Sequence, residues 1–284
     1  METLQNNSFA SKMNSSLAMN TLLQMDGQAK ISDAGTGQPI LLLHGGGGSA
    51  TVFGMSQALS AKARVLLPTH PGFDGTPRPA HLNSVAELAK FYLQLLEVLG
   101  LRNVIVIGAS LGGWTAAEMA LADSGHNMRN EDCQRIKGLI LINAVGIEVP
   151  AAPVADVSGL TRPEMIRLAS HNPDLVLANT PAPTPERLAV LAANAATLAV
   201  YDGGAGMMLP GLREKLVHVA TPTLVLWGES DGIASVVYGK AYAAAFANSK
   251  FELITEAGHL PQIEQPAQTL THIDNFILEL DSTV

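Results

Sequence analysis

A single cysteine, Cys133, stands in 284 residues, so no internal disulfide can form. It lies in the polar stretch 127–134, where a surface thiol is expected rather than a nucleophile. Basic residues are few, 17 Lys and Arg against 25 Asp and Glu. That balance argues against a nucleic acid partner, whose phosphates demand a cationic face. No apolar run is long enough to span a bilayer. Residues 1–20 are rich in Ser, Asn and Met and lack the basic start and apolar core of a secretory signal. They read as a mobile extension. No spacing of the H-E-x-x-H or C-x-x-C kind occurs, and no G-x-x-x-x-G-K-[ST], so no metal, cofactor or nucleotide is expected. The absences describe a soluble, cytoplasmic chain, monomeric or homodimeric, that handles a small molecule.

What is present is apolar patterning. Hydrophobic residues make up 47% of the chain, enough for a sizeable core. The runs 40–43, 63–67, 103–107, 138–142, 222–227 and 250–254 are continuous rather than alternating. They predict strands buried on both faces, hence a largely parallel sheet. Leu22 to Met25 and Ala29 to Ser32 flank Asp26-Gly27, a hairpin signal. Helical segments lie between the later runs. The clearest spans Val85 to Leu99, with Ser84 and Glu87 as a capping box and Gly100 as a stop. Alternation of strand and helix predicts the doubly wound α/β class.

Residues 147–212 break that rhythm. Thr161-Arg162-Pro163-Glu164 and Thr184-Pro185-Glu186 are two helix starts. Leu188, Leu191, Ala195 and Leu198 are expected on one helical face. The pattern predicts a helical insertion between core segments 21–146 and 213–284.

Four motifs carry chemistry, each just past a predicted strand. Ile107-Gly108-Ala109-Ser110-Leu111-Gly112-Gly113 is G-x-S-x-G between a strand and a helix. Such a turn strains the serine backbone and lifts its hydroxyl above the sheet edge. His44 to Ser49 contains four consecutive glycines, Gly45 to Gly48. Trp227-Gly228-Glu229-Ser230-Asp231 offers two acids, and Glu256-Ala257-Gly258-His259-Leu260-Pro261 offers a histidine. A serine hydroxyl needs a neighbouring base to become a nucleophile, and imidazole titrates in the right range. Ligands of open α/β sheets sit at this strand edge. His44 reads as support for the glycine loop, and His70 as a possible lining residue.

In motif order and context the chain resembles the α/β-hydrolase superfamily, in its serine-nucleophile branch with a helical cap. The resemblance covers about residues 21–280 and implies a mostly parallel sheet flanked by helices, with 147–212 as the cap. It implies Ser110 as nucleophile, His259 as base and Asp231, rather than Glu229, as the acid that orients it. The N–H groups of Leu111 and Gly46 are the implied oxyanion donors. Phe53, Phe73, Met207, Met208 and Leu260 are the expected pocket lining. One cap face is expected on the core and the other over the pocket, so that excising the cap leaves a triad still able to react. The plain activity is hydrolysis of a small, largely apolar carboxylic ester by water. The glycine run also looks like that of carbon–carbon bond hydrolases, which usually carry Asn before the serine and Trp after the histidine. Ala109 and Leu260 stand there instead. Cofactor-free perhydrolase or haloperoxidase chemistry, and a non-catalytic receptor on the same fold, are the other readings.

Overall fold

Each of the six continuous apolar runs forms a strand. The computed structural model describes residues 21–23, 29–127 and 135–282. The extension 1–20, the Asp26-Gly27 turn and Cys133 lie outside the described residues. The strands are β1 (Thr21–Leu23), β2 (Ala29–Ala34), β3 (Pro39–Leu43) and β4 (Arg64–Thr69), then β5 (Val104–Ala109), β6 (Ile136–Ile142), β7 (Thr223–Gly228) and β8 (Ser249–Ile254). They make one sheet of eight in the order β1-β2-β4-β3-β5-β6-β7-β8. Strands β3 to β8 pair in parallel, while β1 and β2 are antiparallel.

Successive side chains of a strand point to opposite faces. Leu41, Leu43, Val106 and Leu141 therefore enter one core with Leu88, Tyr92 and Leu95 of helix Val85–Val98 and Met119 of helix Leu111–Asn127. Ile40, Leu42, Ile105 and Ile140 enter the other, against Met55 and Leu59 and the C-terminal helix residues Ile273 and Phe276. Covering both faces is what makes β3 to β7 largely apolar. Strand β8, expected to be buried on both faces, is an edge strand of the sheet, alternates Lys250, Phe251, Glu252 and Leu253, and leaves Leu253 36% exposed. The architecture is the one that the resemblance implies, a mostly parallel sheet flanked by helices on both sides.

Between β6 and β7 come helices Arg162–Ala169, Pro173–Asn179 and Pro185–Asp202. Thr161 and Glu164 form a capping box, and the Thr184 hydroxyl accepts the Arg187 N–H. The chain returns beside its own start, where Gly146 pairs with Met208. On the face of the long helix expected to carry Leu188, Leu191, Ala195 and Leu198, Leu191 and Leu198 are half-buried and Leu198 packs against the core. Leu188 is 51% exposed and Ala195 is also exposed, whereas Asn194 and Tyr201 are buried. The reason is what lies beneath the helix. Thr197 and Tyr201 donate to the carbonyls of Gly72 and Pro71, and Asn194 binds Asp74, so the helix rests on polar loop backbone.

Candidate active site

The carboxyl ends of the parallel strands bring the four motifs to one edge. Ser110 follows β5 with φ 53°, in the left-handed region that costs a non-glycine residue energy. Its backbone is over-determined. Its N–H donates to the Ile142 carbonyl at 3.0 Å, and its own carbonyl accepts the Trp114 N–H at 3.1 Å. The flanking glycines have no room for a side chain. A Cβ on Gly108 would lie 2.2 Å from the Gly112 carbonyl oxygen, and one on Gly112 would lie 2.3 Å from that of Leu43.

His259 Nε2 lies 3.0 Å from Ser110 Oγ, and its Nδ1 lies 2.8 Å from Asp231 Oδ2. A carboxylate only accepts, so Nδ1 carries the proton and Nε2 is free to take one from the hydroxyl. Asp231 Oδ1 accepts the N–H groups of Ile233 and Ala234 at 2.8 and 3.1 Å. Burial pushes its carboxyl up, but the facing imidazole, the Asn143 amide and the Ala234 N–H together hold it below the usual value. It is therefore ionised at neutral pH. Glu229 sits apart, accepting the Glu256 N–H at 3.2 Å near the surface.

Asn143 follows β6 directly, where the chain offers an amide rather than an acid. The structure gives it a direct part in the site. Its Nδ2 donates to Asp231 Oδ2 at 2.6 Å, and its Oδ1 accepts the Gly228 N–H at 3.1 Å. It is fully buried with φ 44°, a conformation asparagine tolerates better than most residues. The available signal was a polar residue closing a run of buried apolar ones.

The glycine loop runs beside the serine. A Cβ on Gly45 would lie 3.0 Å from Ser110 Cβ, and one on Gly46 would touch Leu198 of the long insertion helix at the same distance. Leu111 begins the elbow helix, where the N–H has no intrahelical acceptor. Asp74 accepts the Ser49 N–H and hydroxyl, both at 2.9 Å, and so ties down the far end of the loop. Among the expected lining residues, Leu260 is half-buried at the start of the turn after His259. Phe53 is 50% exposed at the start of helix Phe53–Ser60. Phe73 is fully buried, with its ring against His44, His70 and Tyr201, so it packs beneath the edge rather than facing a ligand. Met207 and Met208 are held at the root of the insertion through Gly146. Among the described residues, no group of three His, Cys, Asp or Glu side chains could hold a metal ion, and no helix is long and apolar enough to cross a membrane.

His70 does not line the site. It is buried with His44 in a closed hydrogen-bond set. His44 Nδ1–H donates to the Gly45 carbonyl and Nε2 accepts the His70 N–H, while His70 bonds the His44 carbonyl and the Tyr92 hydroxyl. The His44 ring is satisfied only when neutral, since its Nε2 must accept. Burial lowers the His44 pKa from 6.5 to about 4, against the raising effects of the Gly45 carbonyl and Asp74. Burial and then His44 lower that of His70 as well. Between these values the unfolded chain binds more protons, so stability falls as pH drops from about 6.5 to about 4. His44 alone then contributes a loss of about 3 kcal/mol. Urea unfolding at pH 7 and pH 4.5 checks this. The His44→Gln variant should lose less on acidification than the parent, and equal losses would contradict the assignment.

A serine, a histidine and a carboxylate thus stand in one hydrogen-bonded row at the carboxyl edge of the parallel strands. The model of the alpha/beta hydrolase family matches residues 40–271, and the chain belongs to that family. It is 25% identical over 277 residues to a 2-hydroxymuconate semialdehyde hydrolase of Pseudomonas putida, covering 90% of this chain and 92% of that one. It is 26% identical over 255 residues to a pimeloyl-[acyl-carrier protein] methyl ester esterase of Serratia marcescens, covering 84% and 93%. Among solved structures, a thermophilic esterase from Thermogutta terrifontis superposes with a TM-score of 0.69 at 25% identity, over 89% of this chain and 94% of that one.

Proposed function

We propose that the protein is a serine hydrolase that cleaves a small, largely apolar carboxylic ester through an acyl-enzyme at Ser110. The observation that carries this reading is the continuous row Ser110 Oγ, His259, Asp231, with links of 3.0 and 2.8 Å. Ser110 Oγ bonds to the ester carbonyl carbon while its proton passes to His259 Nε2. Asp231 stabilises the imidazolium that results and does not itself take the proton. The N–H groups of Gly46 and Leu111 receive the negative charge on the former carbonyl oxygen, a contribution of about 3 kcal/mol per donor. The bond to the alcohol then breaks, and the alcohol leaves with the proton from His259. A water gives a proton to His259, its oxygen attacks the acyl carbon, and the acid departs as Ser110 recovers its proton.

In this reading residues 147–212 are the cap and 21–146 with 213–284 the catalytic core. Leu198 stands against Gly46 of the glycine loop beside Ser110, and an apolar side chain there suits an apolar acyl group. A series of nitrophenyl esters of increasing acyl length tests the proposal. The parent should release nitrophenol with a preference for one chain length, and Ser110→Ala should not. The relation to the 2-hydroxymuconate semialdehyde hydrolase supports a second reading, carbon–carbon bond hydrolysis. Ala109 and Leu260 favour the ester. Faster turnover of a ring-fission dienoate than of any ester would reverse that choice.

A further inference from the structure

The turn that carries His259 is held from behind by a carboxylate outside the triad. Glu264 closes the short helix Pro261–Glu264. Its Oε1 accepts the Gly258 N–H at 2.9 Å, and its Oε2 accepts the His171 N–H at 2.8 Å. Gly258 precedes His259, whereas His171 belongs to the insertion. One side chain thus spans the histidine turn and the insertion, with both bonds assisted by charge.

The same two segments meet through backbone. The last carbonyls of a helix have no intrahelical donors. Those of Leu168 and Ala169, ending helix Arg162–Ala169, accept the N–H groups of Gly232 at 3.0 Å and His259 at 2.7 Å. These donors sit in the acid loop and the histidine turn. His171 Nδ1 adds a 2.7 Å contact to Ser230 Oγ in the acid loop. The approach is too close for side chains. A Cβ on Gly258 would lie 2.1 Å from the Ala169 oxygen, and one on Gly232 would lie 2.6 Å from the Leu168 oxygen.

We infer that Glu264 is a positioning residue, which clamps the His259 turn to insertion segment 168–171 so that the imidazole meets Ser110 and Asp231 together. The inference rests on the serine-hydrolase reading and adds a residue that acts only through His259. It also divides the insertion. Its first helix braces the catalytic loops, and its long helix stands over the glycine loop. Excising the whole insertion would strip the Gly232 and His259 amides of their acceptors. The expectation that the triad still reacts without its cap is therefore replaced by loss of the triad's geometry.

The test compares Glu264→Ala and Glu264→Gln with the parent on a nitrophenyl ester. A displacement of the base by a fraction of an ångström to one ångström lowers rate sharply, so Glu264→Ala should reduce kcat by about 10- to 100-fold. KM should stay within about twofold, since ester binding does not involve this carboxylate. Glu264→Gln keeps one acceptor oxygen and the volume, and should recover part of kcat. In a His259→Ala background, Glu264→Ala should change the residual rate by less than about twofold, because the group through which it acts is gone. Parent kcat in both Glu264 variants would overturn the inference. So would an equal loss in the His259→Ala background, which would mark a general structural role. The two ideas fail separately. Full activity in Ser110→Ala removes the serine hydrolase, whereas an inactive Ser110→Ala beside a fully active Glu264→Ala removes only the clamp.

Discussion

Ser110→Ala is expected to lose at least about 10⁴-fold in kcat on an activated ester while remaining folded. The one heavy atom removed is the proposed nucleophile. The hydroxyl's contact in the structure is with His259 Nε2, so no core packing is lost and stability should change by less than about 1 kcal/mol. The elbow itself persists, because the Ile142 carbonyl and the Trp114 N–H still hold the backbone of residue 110. The strain at φ 53° persists too. Ser110→Gly should therefore unfold at a higher temperature than Ser110→Ala, since glycine adopts that conformation without a Cβ penalty. Circular dichroism and nitrophenol release separate the two effects. Near-parent turnover in Ser110→Ala would exclude Ser110 as nucleophile.

Asp231→Asn is expected to lower kcat by about 10³- to 10⁴-fold. An amide there can donate to Nδ1 and favour the tautomer that places the proton on Nε2, facing Ser110. The substituted side chain would also face the Asn143 amide, which now donates to Oδ2 at 2.6 Å. Glu229→Gln should change kcat by less than about threefold, because its carboxylate accepts the Glu256 N–H near the surface and takes no part in the row. Asn143→Ala should fall between the two. It leaves Asp231 and His259 in place but removes one of the bonds that fix the carboxylate and orphans the buried Gly228 N–H. The reverse ranking of Asp231 and Glu229 would transfer the acid's role to Glu229.

The parts legible in the sequence are those governed by local rules. The buried strands announce themselves as unbroken apolar runs, because a residue covered on both sheet faces has no reason to alternate. The elbow announces itself because two close backbone approaches demand Gly108 and Gly112 around a strained serine. The order of serine, acid and histidine follows from strand ends that the same runs locate. What local rules cannot supply is the partner of a polar side chain across the fold. Asn143 meets Asp231 across 88 positions of sequence, and Glu264 meets His171 across 93. Neither spacing carries a period or a motif. The polar part of the floor beneath the long insertion helix is hidden from the sequence for a related reason. Apolar periodicity assumes an apolar floor, and this helix lies on loop carbonyls and on Asp74, which select Asn194, Thr197 and Tyr201. Phe73, expected in the pocket lining, has its ring in the buried cluster of His44, His70 and Tyr201, contacts that no local pattern announces.

The central claim is that Ser110 is made nucleophilic by His259 under the hold of Asp231. Covalent labelling tests it most directly. The parent, His259→Ala and Ser110→Ala proteins are each treated with a fluorophosphonate, digested and sequenced by mass spectrometry. The account predicts one phosphonylated serine in the parent, at Ser110, with labelling slowed by at least about 10³-fold in His259→Ala and absent from Ser110→Ala. Labelling at another serine, or labelling of Ser110 at the same rate without His259, would contradict it.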